Sequence, residues 1–107
     1  MKTTVGVGLL GCGTVGSNVA ARLQSEREII ERRSGVRYEL RAIAIQDSLK
    51  SRSSALERRL FTRDARSVVD DPHVDLVIEV IGGTTDAAEL VERALERGRH
   101  VLSLIHI

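Results

Sequence analysis

The chain is poor in several residue types that mark particular classes of protein. It has one cysteine, one proline, one phenylalanine, one tyrosine and no tryptophan among 107 residues. A single cysteine excludes an internal disulfide and suits a reducing compartment. No apolar run approaches the ~20 residues that a membrane-spanning helix needs, and the amino terminus runs into a glycine-containing strand pattern rather than a signal peptide. We therefore expect a cytoplasmic protein that has no membrane partner.

The chain also lacks an excess of charge of one sign. Sixteen basic residues face fifteen acidic ones, which leaves a formal net charge of +1. Nucleic acid is not an expected partner, because no strong positive field attracts phosphates over a distance. The length predicts one domain, or a piece of one, that can bury roughly two thirds of its unfolded surface.

Apolar residues follow strand and helix spacings in turn along the chain. Residues 5–10 form a short apolar run that predicts a buried strand. A helical repeat then extends over residues 15–33, and Gly35 provides a stop for it. Residues 38–45 alternate before becoming continuously apolar, as a second strand would. The apolar positions of this first helix are Val15, Val19, Leu23 and Ile30.

The second half of the chain repeats the alternation. Residues 46–59 are polar and predict a loop, residues 60–62 a very short third strand, and residues 75–81 the strongest strand. Between these two strands a brief helix is predicted, with Asp64 at the position of its cap. The helix ends at residues 71–72, because Pro72 disfavours helix in the residue before it. Residues 101–107 predict a last strand, with an uncovered apolar edge that favours association between chains.

A further helix is predicted between the last two strands. Asp86 and Glu89 have the spacing of a variant capping box, and Gly98 lies at the carboxyl end. One face of this helix is apolar: Ala87, Leu90, Val91, Ala94 and Leu95. Strands that alternate with helices in this way indicate an α/β fold with a doubly wound parallel sheet of about five strands, the Rossmann type.

The glycine pattern Gly11, Gly13, Gly16 is the most informative motif, because it follows a predicted strand and opens a long helix. Gly11 permits a tight turn, Gly13 lets the backbone approach a pyrophosphate, and Gly16 lets the helix pack closely on the strand. Free N–H groups of Thr14 and Val15 at the helix start favour the anion. This spacing predicts NAD or NADP binding, and the alternative is a turn that simply requires glycine.

Two further strand ends are expected beside the same cofactor. Gly82, Gly83 and Thr84 follow the fourth strand, where strand order reverses in a doubly wound sheet, although they could be a plain turn. Asp47 follows the second strand and could accept hydrogen bonds from the ribose 2′-hydroxyl of NAD. Two alternatives remain for that position: Lys50 or Arg52 nearby could serve the 2′-phosphate of NADP, or Asp47 could be a turn residue.

The remaining candidate residues give less support for a catalytic, binding or metal site. Cys12 is better explained as a small packed side chain than as a nucleophile, and the three histidines lack the spacing of metal ligands, so no metal site is expected. Glu79 lies within the fourth strand. It could be a buried carboxylate near the site or a polar group whose hydrogen bonds are satisfied elsewhere.

Three segments resemble the amino-terminal domain of homoserine dehydrogenase. They are residues 7–16 with the glycine loop, residues 75–83, which resemble a D-x-V-x-E-x-x-G-G segment, and residues 94–101, which resemble an A-L-x-x-G-K-H-V run. The resemblance implies an NAD(P)-linked oxidoreductase that interconverts aspartate semialdehyde and homoserine, towards threonine and methionine. It also implies a full-length enzyme with a small-molecule substrate and a homo-oligomeric state.

The chain departs from that family at two places. Gln46 stands where the family often has a basic residue, which leaves the choice between NAD and NADP open. After His100 the family continues into T-A-N-K, whereas this chain places His106 where the lysine falls. We therefore interpret residues 1–107 as an incomplete NAD(P)-binding domain, with residues 103–107 a non-native tail, no catalytic residues and no turnover by itself. The alternatives are a related two-domain dehydrogenase, of the glucose-fructose oxidoreductase group or aspartate dehydrogenase, and a non-catalytic dinucleotide sensor.

Overall fold

The structure is a computed structural model that describes residues 3–11, 14–45, 58–80 and 85–103. Strands and helices alternate through most of these ranges, as the sequence predicts. A single 3₁₀ turn, Arg58–Leu60, precedes the third strand. The elements in chain order are β1 (Thr3–Leu10), α1 (Thr14–Ser25), α2 (Arg27–Ser34), β2 (Val36–Ala44), β3 (Phe61–Thr62), α3 (Ala65–Asp70), β4 (Leu76–Glu79), α4 (Thr85–Glu96) and β5 (His100–Ser103).

The five strands form one parallel sheet in the order β3-β2-β1-β4-β5. The chain moves outward in one direction from β1 through β2 to β3, then crosses to the other side of β1 and continues from β4 to β5. This reversal between β1 and β4 defines a doubly wound sheet. The predicted fold class and strand number are confirmed. None of the helices in the described part is long and apolar enough to cross a lipid bilayer.

Helices cover both faces of the sheet, so the central strand is buried on each side. Side chains of β1 alternate between the faces: Val7 and Leu9 pack with Ala20 of α1, and Leu10 packs in the cluster that contains Val68 of α3. The α3 and α4 side is completed by Val69, Val74, Val77, Leu90 and Ala94. A strand with two buried faces must be apolar almost throughout, which explains the continuous run at residues 5–10.

The long first helix that the sequence predicts is divided in two. α1 ends at Ser25 and α2 begins at Arg27, and Glu26 between them has φ −106° and ψ 14°. The apolar repeat lapses at this point, because the position four residues after Leu23 is Arg27. No residue of α2 is buried, and α2 packs beside β2. The predicted stop is confirmed, since Gly35 adopts φ 76° and its N–H donates to the Glu31 carbonyl at 2.8 Å.

Both ends of the short helix α3 are held by side chains. The Ser67 N–H donates to Asp64 Oδ1 at 3.3 Å, which confirms the predicted cap. At the other end, Arg99 donates from Nε to the Val69 carbonyl at 3.2 Å and from Nη2 to the Asp71 carbonyl at 3.0 Å. A guanidinium at a helix carboxyl end satisfies free carbonyls and interacts favourably with the dipole.

The structure corrects two details of the predicted fourth helix. α4 begins at Thr85, so Asp86 lies within its first turn and not at the capping position. Leu95 is 59% exposed, whereas Ala87, Leu90 and Ala94 are buried as predicted. Because α4 covers the edge of the sheet, only its inner stripe finds strand side chains to pack against.

The last strand is shorter in the described residues than the sequence predicts. β5 covers His100–Ser103, and residues 104–107 lie outside the described ranges, as does Ile81 at the end of the predicted fourth strand. β5 is an edge strand that pairs with β4 on one side, and Leu102 is 49% exposed. Association through this edge stays a prediction.

An ion pair between α3 and α4 should make stability depend on pH. Arg93 donates to both carboxylate oxygens of Asp70, at 2.8 Å from Nε and 2.7 Å from Nη2, and these hydrogen bonds hold the pKa of Asp70 below its ordinary value. A lowered pKa stabilises the folded state above the unfolded pKa of ~3.9, and this contribution is lost as pH falls through the lower folded value. We expect Asp70→Asn to lower the melting temperature at pH 7 and to differ progressively less from the parent chain below about pH 4.

The matched control is Glu92→Gln, which neutralises an exposed carboxylate on the same helix as Arg93. Thermal unfolding followed by circular dichroism between pH 3 and 8 makes the comparison. A constant difference between Asp70→Asn and the parent chain at every pH would contradict the expected linkage.

Candidate nucleotide-binding site

The first strand ends at a turn that requires glycine. Gly11 follows β1 directly and adopts φ 96°, a backbone conformation that residues with a Cβ rarely reach. Its N–H donates to the Ala44 carbonyl at 2.8 Å, which ties the turn to the end of β2. The chain then enters α1 at Thr14. The turn therefore brings the amino terminus of α1 to the carboxyl end of the central strand.

Gly16 lies where α1 comes closest to the sheet. A Cβ at this position would lie 2.6 Å from the Gly11 carbonyl oxygen and 3.1 Å from Val80 Cγ2. Contacts below 3.0 Å with backbone atoms cannot be relieved without moving the helix or the turn. Gly16 thus has the close packing that the sequence predicts for it, and α1 approaches the ends of both β1 and β4.

The carboxyl ends of three strands lie side by side at this edge. Leu10 is in register with Ala44 of β2 and with Glu79 of β4, and the Val80 N–H donates to the Leu10 carbonyl at 2.9 Å. β2 and β4 lie on opposite sides of β1, which is the reversal of strand order in a doubly wound sheet. A crevice outside the carboxyl ends forms at such a reversal, and open α/β sheets bind ligands there.

The start of α1 has the electrostatics of an anion site. Thr14 and Val15 occupy its first turn, where backbone N–H groups have no partner within the helix. No acidic residue lies in that first turn, so the positive end of the helix dipole is not neutralised by the helix itself. Phosphate oxygens are the ligands that such free N–H groups accommodate best. The geometry therefore fits a pyrophosphate against Gly11 and the α1 terminus.

Several predicted site residues fall outside the described ranges. They are Gly13, Asp47, Gly82, Gly83 and Thr84, together with Cys12, Gln46, Lys50, Arg52 and His106. The described residues next to them show where the strands end. Ile45 follows β2 and donates its N–H to the Thr62 carbonyl at 2.8 Å, and Val80 follows β4. The roles of these predicted residues stay predictions.

Among the described residues, Glu79 is the charged side chain that is buried in the core, and it has no exposed surface. Its Oε1 accepts a hydrogen bond from Ser103 Oγ at 2.8 Å, across the register pair that joins β4 to β5. Both alternatives for this residue hold, because the carboxylate lies at the crevice edge and also has a hydrogen-bond partner. The sequence pattern did not identify Ser103, since the contact joins residues 24 positions apart.

Two surface depressions lie away from the glycine turn. One groove of about 740 Å³ follows α3 and β3, and another of about 600 Å³ lies between α3 and α4. Charged side chains such as Arg66, Asp64 and Arg93 line both, and neither includes Gly11 or Gly16. The glycine turn differs from both grooves, because backbone N–H groups at strand ends, and not an enclosed cavity, are the usual means by which this kind of sheet binds phosphates.

Comparisons with known proteins agree on one family. A family model described as the NAD-binding domain of homoserine dehydrogenase matches residues 11–104. Homoserine dehydrogenase from Methylobacillus glycogenes is 39% identical over 92% of this chain, which spans 24% of that enzyme. The solved homoserine dehydrogenase from S. aureus superimposes with a TM-score of 0.88 and 26% identity over 96% of this chain and 26% of its own.

A second solved structure gives the same result. The homoserine dehydrogenase from Thiobacillus denitrificans has a TM-score of 0.85 and 35% identity, over 96% of this chain and 24% of its own. The chain thus spans about a quarter of the length of these relatives. A different two-domain dehydrogenase or a non-catalytic dinucleotide sensor is not favoured by this family match.

Proposed function

The chain belongs to the family of homoserine dehydrogenase NAD-binding domains, and on that premise we propose that its glycine turn and the start of α1 hold the pyrophosphate of NAD or NADP. The observation that carries this proposal is the contact of Gly16 with the Gly11 carbonyl, which brings α1 to the reversal point of the sheet. The family match supports NAD or NADP as the cofactor.

Each described residue has a proposed task in binding. The turn at Gly11 leaves room for the phosphates, and the N–H groups of Thr14 and Val15 orient them in the first turn of α1. A bound nicotinamide supplies hydride transfer, while the protein supplies position and charge compensation. Gly13, Gly82, Gly83 and Thr84 are proposed to line the same crevice.

The choice between the two cofactors is proposed to depend on the tip of β2. Asp47 would accept from the ribose 2′-hydroxyl of NAD, and Lys50 or Arg52 would accommodate the 2′-phosphate of NADP. We favour NAD, because the carboxylate follows the strand more closely than either basic residue.

The reaction proposed for the whole enzyme is the interconversion of aspartate semialdehyde and homoserine, a step towards threonine and methionine. The assignment is supported by the identity of the relatives, which are homoserine dehydrogenases. They are about four times as long as this chain. Residues 1–107 are proposed to form an incomplete cofactor-binding domain, with residues 103–107 a non-native tail, of a cytoplasmic, homo-oligomeric enzyme that acts on a small molecule. By itself this segment should bind dinucleotide weakly and turn over no substrate.

Titration of ¹⁵N-labelled chain with each cofactor tests the binding site. We expect NAD(H) or NADP(H) to shift the amide resonances of residues 11–16, because the proposed phosphate position lies against the Gly11 turn and the first turn of α1. Amides at Ser34 and Gly35, at the opposite end of the sheet, are the internal control and should not move. If neither cofactor shifts residues 11–16 in folded protein, the proposed function is wrong.

A further inference from the structure

The start of α1 packs against the sheet at Gly16. The three atoms nearest to a Cβ at this position are the Gly11 carbonyl oxygen at 2.6 Å, Val80 Cγ2 at 3.1 Å and the Gly11 carbonyl carbon at 3.2 Å. Four residues later along the helix, Ala20 has no exposed surface. Because Gly16 and Ala20 are small, the backbone of α1 comes close to these neighbouring atoms, with no long side chain in between.

Val80 contributes a side chain to this contact, whereas Gly11 contributes backbone atoms. A substitution at residue 80 therefore changes the surface on which α1 packs, and the backbone of the turn stays as it is. Val80 is half-buried and packs against the core cluster that contains Val7 and Leu9 of β1. The contact at Gly16 thus continues the core on the α1 side of the sheet.

The side chain of Val80 has little freedom to move away from the helix. Its own N–H donates to the Leu10 carbonyl at 2.9 Å, so the backbone of residue 80 is attached to the end of β1. A β-branched side chain also has a restricted χ1 angle. A change of size at residue 80 is therefore transmitted to α1, because neither the backbone nor the rotamer of this residue can absorb it.

The contact lies beside the helix turn that is proposed to bind the phosphates. Thr14 and Val15 directly precede Gly16 in the first turn of α1, where backbone N–H groups have no partner within the helix. Hydrogen bonds weaken when the distance or the angle departs from the preferred range. A movement of α1 at Gly16 therefore changes the geometry of the N–H groups one and two residues before it.

We propose that Val80 is a positioning residue for dinucleotide binding: through the contact of its Cγ2 with Gly16, it sets the distance between the start of α1 and the end of β4. This inference rests on the proposed function. It assigns Val80 no contact with the cofactor. Binding requires the shape of this side chain, since the shape determines where α1 lies.

Val80→Ala removes the contact and keeps the backbone. We expect the dissociation constant for NADH, or for NADPH if the parent chain prefers it, to rise about five- to ten-fold in folded protein, because α1 is then free to move towards β4. Val80→Thr replaces one methyl group by a hydroxyl of similar size. It should lower the melting temperature, since a polar group enters an apolar contact, and keep the dissociation constant within about two-fold of the parent value. Calorimetric titration gives the constants, and circular dichroism gives the melting temperatures.

The matched control is Val101→Ala, the same substitution at another half-buried valine of the sheet. Val101 packs against the cluster that contains Leu90 and Ala94 of α4, and not against α1. Val80→Ala and Val101→Ala should each lower the melting temperature by several degrees, and Val101→Ala should leave the dissociation constant unchanged. If Val80→Ala fails to fold, Val80→Ile takes its place, because its extra carbon pushes α1 away from β4 and should also weaken binding.

The outcomes distinguish this inference from the proposed function. If the parent chain binds neither cofactor, both fail. If the parent chain binds, the role of Val80 alone is overturned by any of three results: parental affinity in Val80→Ala or its replacement, equally weak binding in Val80→Thr, or an equal loss of affinity in Val101→Ala. Weaker binding by Val80→Ala, with near-parental binding by Val80→Thr and Val101→Ala, supports it.

Discussion

Gly16→Ala is expected to weaken dinucleotide binding by at least about 100-fold. The added methyl would lie 2.6 Å from the Gly11 carbonyl oxygen, and that atom belongs to the turn that we propose holds the phosphates. Backbone cannot rotate away as a side chain can, so α1 or the turn must move. Either movement would displace the N–H groups of Thr14 and Val15 from the proposed phosphate position. Some stability should also be lost, about 1–3 kcal/mol for an overpacked contact.

The matched control for this substitution is Gly35→Ala. Gly35 adopts φ 76° at the end of α2, and no heavy atom lies within 4 Å of a Cβ there. Alanine should therefore cost about 1–2 kcal/mol through backbone strain alone and leave affinity unchanged. Calorimetry with NADH and NADPH measures affinity, and urea unfolding measures stability. Binding by Gly16→Ala with parental affinity would show that the contact at Gly16 does not control the site.

Gly6→Ala is expected to have the largest effect on folding. A Cβ at Gly6 would lie 1.7 Å from the His73 carbonyl oxygen and 2.9 Å from the His73 carbonyl carbon, so the strand and the loop before β4 would have to separate. Separation also breaks two hydrogen bonds. Gly6 N–H donates to Asp75 Oδ2 and Asp75 N–H donates to the Gly6 carbonyl, each at 2.8 Å. These losses together should exceed about 4 kcal/mol, a large share of the stability of a small domain.

Gly98→Ala provides the comparison for Gly6→Ala. Gly98 has φ 77° and an open environment for a Cβ, so the substitution strains the backbone without any collision. We expect Gly98→Ala to fold with a modestly lower melting temperature, and Gly6→Ala to lack a cooperative unfolding transition. A cooperative transition for Gly6→Ala within a few degrees of the parent chain would mean that the close approach of Gly6 and His73 is wrong.

Different physical causes explain these two effects. Gly16 lies at the crevice, where a shift of about one ångström matters because hydrogen bonds to phosphate depend on distance and direction. Gly6 lies near the middle of β1, beside the residues that lead into β4, where the cost falls on the sheet and not on the ligand. Measuring affinity and stability on both variants therefore distinguishes an effect on cofactor binding from an effect on the stability of the sheet.

The sequence by itself determined the order of the elements, the fold class and the position of the glycine turn. These features depend on local patterns: strands buried on both faces show continuous apolar runs, Gly35 ends a helix through its positive φ, and Asp64 caps α3 through a neighbour three residues away. Such signals act within a few residues, so they can be identified without knowledge of the rest of the chain.

Only the tertiary structure decided the features that depend on distant contacts. The break at Glu26 follows from how α2 packs beside β2, and the exposure of Leu95 follows from the place of α4 at the sheet edge. The approach of Gly6 to His73 and the bond from Ser103 to Glu79 join residues far apart in the chain. No local sequence pattern predicts such pairs, because these residues come into contact only after the parallel strands have paired in their register.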